Sequence, residues 1–137
     1  MPDKTFRVDF VTPQKMIYSE QVLSVTAPGV MGSFQVLYNH APLLAAIAVG
    51  EVKVRDKEGK ELYFATSGGS LEVRANKLVM LAETLEPATK IDLERAKRAQ
   101  KRAEQRLADK KADIDIRRAR VALMRAVNRL HVASRIG

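Results

Sequence analysis

The stretch Glu86-Pro87-Ala88-Thr89-Lys90-Ile91-Asp92-Leu93-Glu94-Arg95-Ala96 separates two grammars. Before it, apolar and polar residues alternate in short runs broken by glycine. After it, Gly is absent until Gly137 and Pro is absent altogether. Pro87 cannot sit inside a helix and so marks a boundary. Thr89, three residues before Asp92, reads as a capping box in which each side chain satisfies a backbone donor near the other. Acids at Asp92 and Glu94 suit the positive end of a helix dipole. On local physics alone this is the start of an ordinary surface helix.

Upstream, the runs Phe6–Val11, Val22–Ala27, Val52–Arg55, Leu62–Ala65 and Leu78–Leu81 have a period of two. That period suits antiparallel strands with one wet face. Pro28-Gly29, Gly32, Gly50, Asp56–Gly59, Gly68-Gly69 and Ala75–Lys77 read as turns between them, with Asp56–Gly59 a hairpin loop. The expectation is an all-β sandwich over residues 1–86, followed by an antiparallel helical hairpin over residues 87–137.

In the hairpin, Ala96, Ala99, Ala103 and Leu107 recur at helical spacing, as do Ala119, Ala122, Ala126, Leu130 and Ala133. Small residues let two helices approach closely, yet each buried alanine contributes little apolar area. A hairpin held this weakly is a candidate for opening. Asp109–Asp113 is polar enough to be its turn, with Asp113 capping the second helix.

Charge follows the same division. Residues 1–89 carry 9 basic and 10 acidic side chains, whereas residues 90–137 carry 15 and 6. The basic third calls for an anionic partner. Arg95, Arg98, Arg102 and Arg106 share one face of the first helix; Arg118, Arg125 and Arg129 share one face of the second. Packed antiparallel, the hairpin brings Arg95 near Arg125 and Arg129. Such a cluster is either a solvated face or a phosphate site, since the planar guanidinium donates bidentately to phosphate.

Other chemistries find little support. The chain has no Cys, which excludes disulfides and thiolate sites. His40 and His131 lie in different halves, so a histidine metal site is not expected. There is no phosphate loop, no dinucleotide fingerprint and no Ser–His–acid set. No run is long and apolar enough to span a membrane, and the first residues lack a signal pattern. The expectation is a soluble, cytosolic, non-catalytic protein.

Three segments now acquire a common meaning: Pro28-Gly29-Val30-Met31-Gly32, His40-Ala41-Pro42-Leu43-Leu44 and Gly68-Gly69-Ser70-Leu71-Glu72-Val73. Together with Ile91-Asp92-Leu93-Glu94-Arg95-Ala96, in this order, the chain resembles the epsilon subunit family of bacterial F-type ATP synthases. The resemblance implies a ten-stranded sandwich docked on the gamma subunit and the ring of membrane c subunits. It also implies a helical domain that folds back or extends. Extended, that domain meets the catalytic beta and alpha subunits and blocks ATP hydrolysis. The subunit would be peripheral at the cytoplasmic face of the cell membrane, touching the membrane only through a proton- or sodium-translocating complex.

The resemblance further implies ATP as a regulatory ligand that favours the folded, non-inhibiting hairpin, with no Mg²⁺ requirement assigned. Carried onto this chain, the ATP-binding residues are Glu86, Ile91, Asp92, Arg95, Ala96, Arg102, Arg125 and Arg129. Ile91, Asp92 and Ala96 would lie near the base, Glu86 near base or ribose, and the arginines at the phosphates. Val30, Met31 and His40 would face the rotor. Val30-Met31 is apolar where the family often carries an acid, and Phe34 replaces a smaller aliphatic residue. These differences fit either drift within a turn or a more apolar contact with the c ring. His40 either contacts gamma or satisfies a loop carbonyl. The competing readings are a basic hairpin that binds nucleic acid, and an inhibitory epsilon subunit that does not sense nucleotide. The helices carry no aromatic residue for base stacking, which disfavours the former.

Overall fold

The computed structural model describes residues 4–109 and 113–136, with backbone only for residues 113–115. The chain forms two compact units that meet between Pro87 and Ala88.

The first unit has nine strands: β1 (Phe6–Val11), β2 (Met16–Gly29), β3 (Gly32–Val36), β4 (Leu43–Ile47), β5 (Gly50–Asp56), β6 (Glu61–Thr66), β7 (Gly69–Arg74), β8 (Lys77–Ala82) and β9 (Leu85–Pro87). They are ordered β1-β8-β7-β4-β2-β5-β6-β9, with β3 also on β2 and β1 also on β2. The β1–β8 ladder is parallel and the other ladders are antiparallel. The 14-residue β2 serves both layers: its first half pairs β1, its second half pairs β5 and β3. Its register against β5 shifts between Val22 and Ser24, where an irregularity re-aims the strand. Counting the two halves of β2 separately gives the ten strands that the resemblance implies.

The inward residues of both layers form one core that includes Phe6, Val8, Phe10, Val25, Val52, Phe64, Leu71 and Met80. Phe10 meets the ring of Phe64 edge-on at 5.3 Å, and Tyr18 tilts against Phe10 at 5.7 Å. The five alternating runs all lie in strands. β3, β4, β7 and β9 are additional. Gly69, expected in a turn, instead opens β7 and pairs with Ile47 and Ala82. Close packing demands glycine there, because a Cβ would lie 2.0 Å from the Leu81 carbonyl oxygen. The Asp56–Gly59 loop is a hairpin as expected. The Asp56 carboxylate accepts from the amides of Glu58 and Lys60, and Gly59 takes φ +84°.

The second unit has a 3-10 turn (Ala88–Lys90), α1 (Leu93–Asp109) and α2 (Asp113–Ala133). Two packed helices joined by three residues run antiparallel. Ala96 and Ala103 of α1 and Ala119 and Ala126 of α2 are buried, while Ala99, Leu107, Ala122, Leu130 and Ala133 are half-buried. The small-residue seam is therefore as expected. Of the expected turn Asp109–Asp113, Asp109 instead ends α1 and Asp113 begins α2, while residues 110–112 and the side chain of Asp113 lie outside the described residues.

Candidate functional site

The start of α1 differs from the capping-box reading. Thr89 is exposed within the 3-10 turn, and Asp92 is itself the cap. Asp92 Oδ1 accepts from the Arg95 amide at 3.1 Å, and the Asp92 carbonyl accepts from the Ala96 amide at 3.0 Å. The Ile91 amide reaches the Ala88 carbonyl at 3.4 Å, closing the preceding turn. The cap lies three residues later than expected because Ala88–Lys90 is used by the 3-10 turn. Asp92 Oδ2 makes no part of this cap, and the carboxylate is exposed.

Helical geometry fixes the level of the other residues. Equal rises away from the connection put Ala103 level with Ala119, and Ala96 level with Ala126. These four are buried, as that register requires. The same register puts Arg125 and Arg129 on either side of the level of Arg95, with Asp92 just beyond the level of Arg129, at the end of the hairpin away from the connection. α2 also packs against the 3-10 turn. Arg95, Arg102 and Arg125 are exposed, whereas Arg129 is half-buried with its Nε enclosed. Ile91 is half-buried. Ala96 is 0 % exposed, so its methyl group belongs to the seam between the helices. Glu86 lies in the first unit, on β9 opposite Ala65. Lys97 pairs with Glu94 on α1 at 3.8 Å, and the 15 basic against 6 acidic side chains of residues 90–137 leave a strong positive balance.

Val30 and Met31 form the apex of the β2–β3 connection, where Gly29 pairs with Gly32. A Cβ on Gly29 would lie 2.6 Å from the Gly32 carbonyl oxygen, so the turn needs glycine. The Val30 amide donates to the Ala46 carbonyl at 2.9 Å and stitches the apex to β4. Met31 is 99 % exposed, an apolar side chain held out on a braced turn. His40, between β3 and β4, brings Nδ1 to 2.7 Å from the Ala41 carbonyl oxygen, which makes Nδ1 the protonated nitrogen. Satisfying a loop carbonyl is one of the two roles read for His40, and this hydrogen bond fills it.

Two features escaped the sequence reading. One is the reciprocal pair Asn39–Asn76, which joins the loop holding His40 to the β7–β8 turn. The other is an apolar outer face on β4 and β8. The continuous apolar run Leu43–Ile47, which fails to alternate, was its signal. Among the described residues no helix is long and apolar enough to cross a membrane, and no cluster of His, Asp or Glu suits a metal ion.

Residues 5–88 match the family model for the ATP synthase delta/epsilon chain, beta-sandwich domain. Residues 89–134 match that for the delta/epsilon chain, long alpha-helix domain. The chain is 48 % identical over 130 residues to an ATP synthase epsilon chain of Desulforamulus reducens, covering 95 % of this chain and 98 % of the relative. It is 42 % identical over 130 residues to that of Bacillus mycoides, covering 95 % and 97 %. In fold it is similar to a chain of the Euglena gracilis mitochondrial ATP synthase, at TM-score 0.77 and 21 % identity, covering 88 % of this chain and 76 % of that one. It is also similar to a central-stalk/c-ring chain from Tetrahymena thermophila, at TM-score 0.59 and 18 % identity, covering 98 % of both. With both units matched in order and near-complete coverage at such identity, the chain belongs to the ATP synthase epsilon chain family.

Proposed function

We propose that this non-catalytic subunit couples gamma to the c ring in the central stalk of a proton- or sodium-translocating F-type ATP synthase, and that its hairpin regulates ATP hydrolysis. In this reading the folded hairpin holds ATP. Asp92 and Ile91 meet the adenine, while Arg95, Arg102, Arg125 and Arg129 hold the phosphates. Ala96 keeps the two helices close enough for both sets of arginines to reach one ligand. The extended hairpin offers the same basic faces to acidic surfaces of the catalytic subunits. The complex acts at the cytoplasmic face of the membrane.

The observation that carries this reading is the pairing of a small-residue seam with a large net positive charge, 15 basic against 6 acidic side chains over residues 90–137. Four buried alanines and Val132 hold two helices that gather Arg95, Arg125 and Arg129 toward one end. An anion bound there removes the repulsion. It stabilises the folded state only through its preference for that state. At 100 times its dissociation constant the stabilisation is about 2.7 kcal/mol, roughly a hundredfold in population. A seam of alanines is weak enough for that amount to decide its state.

Calorimetric titration of the full chain with ATP and ADP tests the reading, alongside the double variant Arg125→Ala/Arg129→Ala. Saturable ATP binding, weakened about tenfold or more in the double variant, is expected, because each charge-assisted hydrogen bond is worth about 1.5–3 kcal/mol. No binding at millimolar ATP, or steep salt-dependent binding of DNA in its place, overturns the nucleotide role.

A further inference from the structure

We infer that the hairpin binds a linear polyphosphate chain, longer than the triphosphate of a nucleotide, in a groove flanked by two rows of arginine. The inference shares four arginines with the nucleotide reading and rests on the same closed hairpin. It begins with an internal repeat. Ile91-Asp92, Arg95-Ala96, Ala99, Arg102-Ala103 and Arg106-Leu107 recur at one constant offset as Ile114-Asp115, Arg118-Ala119, Ala122, Arg125-Ala126 and Arg129-Leu130. The first copy runs through α1 and the second through α2. Two antiparallel helices built on one pattern are related by an approximate two-fold axis across their seam.

The repeat decides where the arginines lie. At about 3.6 residues per turn, Arg95, Arg102 and Arg106 fall within about 40° of one another around α1, roughly a quarter turn from the buried Ala96 and Ala103. Arg118, Arg125 and Arg129 stand in the same relation to the buried Ala119 and Ala126. Both rows lie the same quarter turn from the seam on right-handed, antiparallel helices, so they emerge on the same side of the hairpin. Between the rows lie Ala99 and Ala122, nearly level with each other and half-buried. They floor a groove with arginines on both banks. The opposite side of the hairpin is different, because Glu104 and Val127 take the corresponding places there.

Along the groove the arginines form two groups. Equal rises from the connection put Arg129, Arg95 and Arg125 together at the open end, and Arg102, Arg118 and Arg106 together toward the connection. The two-fold axis exchanges the groups. From Arg129 to Arg106 is roughly 20 Å along the helices. Guanidinium forks pair bidentately with phosphate oxygens, and a row of them calls for a row of anions. A triphosphate engages one group and reaches the edge of the other, whereas a longer chain engages both. Its two ends are alike, which suits a groove whose two halves are alike. Packed helices lie about 8–10 Å apart, so the groove admits a single chain and not a duplex. α1 and α2 carry no Phe, Tyr or Trp, so the bases of a single strand find no ring to stack on. A chain held by both helices favours the closed hairpin to the extent that it binds that state better.

The test titrates the full chain with long-chain linear polyphosphate, tripolyphosphate, ATP and a single-stranded oligonucleotide, followed by calorimetry. Arg106→Gln/Arg118→Gln removes two charges from the groove but none from the open-end group. Lys101→Gln/Arg120→Gln removes two charges elsewhere on the same helices. All four positions are exposed, so both variants should melt like the parent. The parent is expected to bind the long chain about tenfold or more tightly than tripolyphosphate. The groove variant should lose about tenfold or more toward the long chain, since charge-assisted hydrogen bonds are the strong ones. Its ATP affinity should stay within about twofold of the parent's. The control variant should keep its affinity for the long chain within about twofold. Equal losses in the two variants would reduce the effect to net charge and overturn the groove. So would tripolyphosphate or the oligonucleotide binding the parent as tightly as the long chain. A parent that binds the long chain as expected but not ATP upholds the groove and overturns the nucleotide reading alone.

Discussion

Asp92 Oδ1 accepts from the Arg95 amide at 3.1 Å, so the acid expected at the adenine is also the residue that begins α1. One carboxylate has an oxygen for each task, whereas an asparagine that caps through its only oxygen turns its NH₂ to the ligand. Asp92→Ala should lower hairpin stability by about 1 kcal/mol, and Asp92→Asn should preserve it, because Asn caps as well as Asp. ATP affinity should fall in both. Thermal melts followed by circular dichroism, paired with ATP titration, separate the tasks. An Asn variant that binds ATP like the parent would confine Asp92 to starting the helix.

Asp9 carries a pH prediction. Its carboxyl is held below the usual value of 3.8, first by the Ser19 hydroxyl at 2.7 Å, then by Arg7, with Lys77 adding a weaker pull. Burial opposes them. A carboxyl with a depressed native pKa stabilises the fold fully above its unfolded value, and that stability is lost as pH falls through the native value. Urea midpoints measured from pH 6 down to pH 2 should therefore decline more steeply for the parent than for Asp9→Asn. Parallel curves for the two chains would remove Asp9 from the acid response.

Two glycines differ in whether a steric clash adds to the conformational cost, since both have positive φ, +158° at Gly69 and +84° at Gly59. At Gly69 an added Cβ meets a backbone oxygen that cannot move without breaking the β7–β8 ladder. At Gly59 an added Cβ meets nothing within 4 Å, but the residue has φ +84°. Gly59→Ala should cost about 1–2 kcal/mol, the left-handed penalty for a residue with a Cβ. Gly69→Ala should cost more, roughly 3–5 kcal/mol, as expected of a change that breaks core packing. Urea unfolding of both variants checks the order. Equal costs would mean that the sheet accommodates the Cβ at Gly69.

What the sequence revealed depended on contrast between faces. Phe6–Val11 alternates because one side meets the core and the other water, and it is β1. Leu43–Ile47 does not alternate, so β4 was invisible to a period-two search. The physical reason for that silence is the apolar outer face. The alanine seam was legible because small residues at helical spacing have few other uses in such basic helices. Arg125 and Arg129 could be grouped with Arg95 because a short connection leaves a hairpin almost one register. The cap could not be placed, since Thr89 and Asp92 are both good caps and only the 3-10 turn at Ala88–Lys90 decides between them. The Asn39–Asn76 clamp spans 37 residues, and no local pattern announces it.

The seam itself offers a test of coupling that touches no arginine. Ala126 is buried level with Ala96. Leucine at 126 adds three carbons to a gap sized for two methyl groups. Overpacking of this kind costs typically about 1–3 kcal/mol. The helices themselves lose nothing, since leucine is nearly as good a helix former as alanine. Ala126→Leu should thus keep its far-ultraviolet helical signal while the closed hairpin becomes less populated. If ATP requires both sets of arginines at one point, its apparent affinity should fall by the fraction of hairpin that no longer closes, about fivefold or more. Val121→Leu, at an exposed position on the same helix, should leave affinity unchanged. ATP titration and circular dichroism of the two variants give the answer. Unchanged affinity in Ala126→Leu would show that binding does not depend on the closed seam, and that one helix suffices for the ligand.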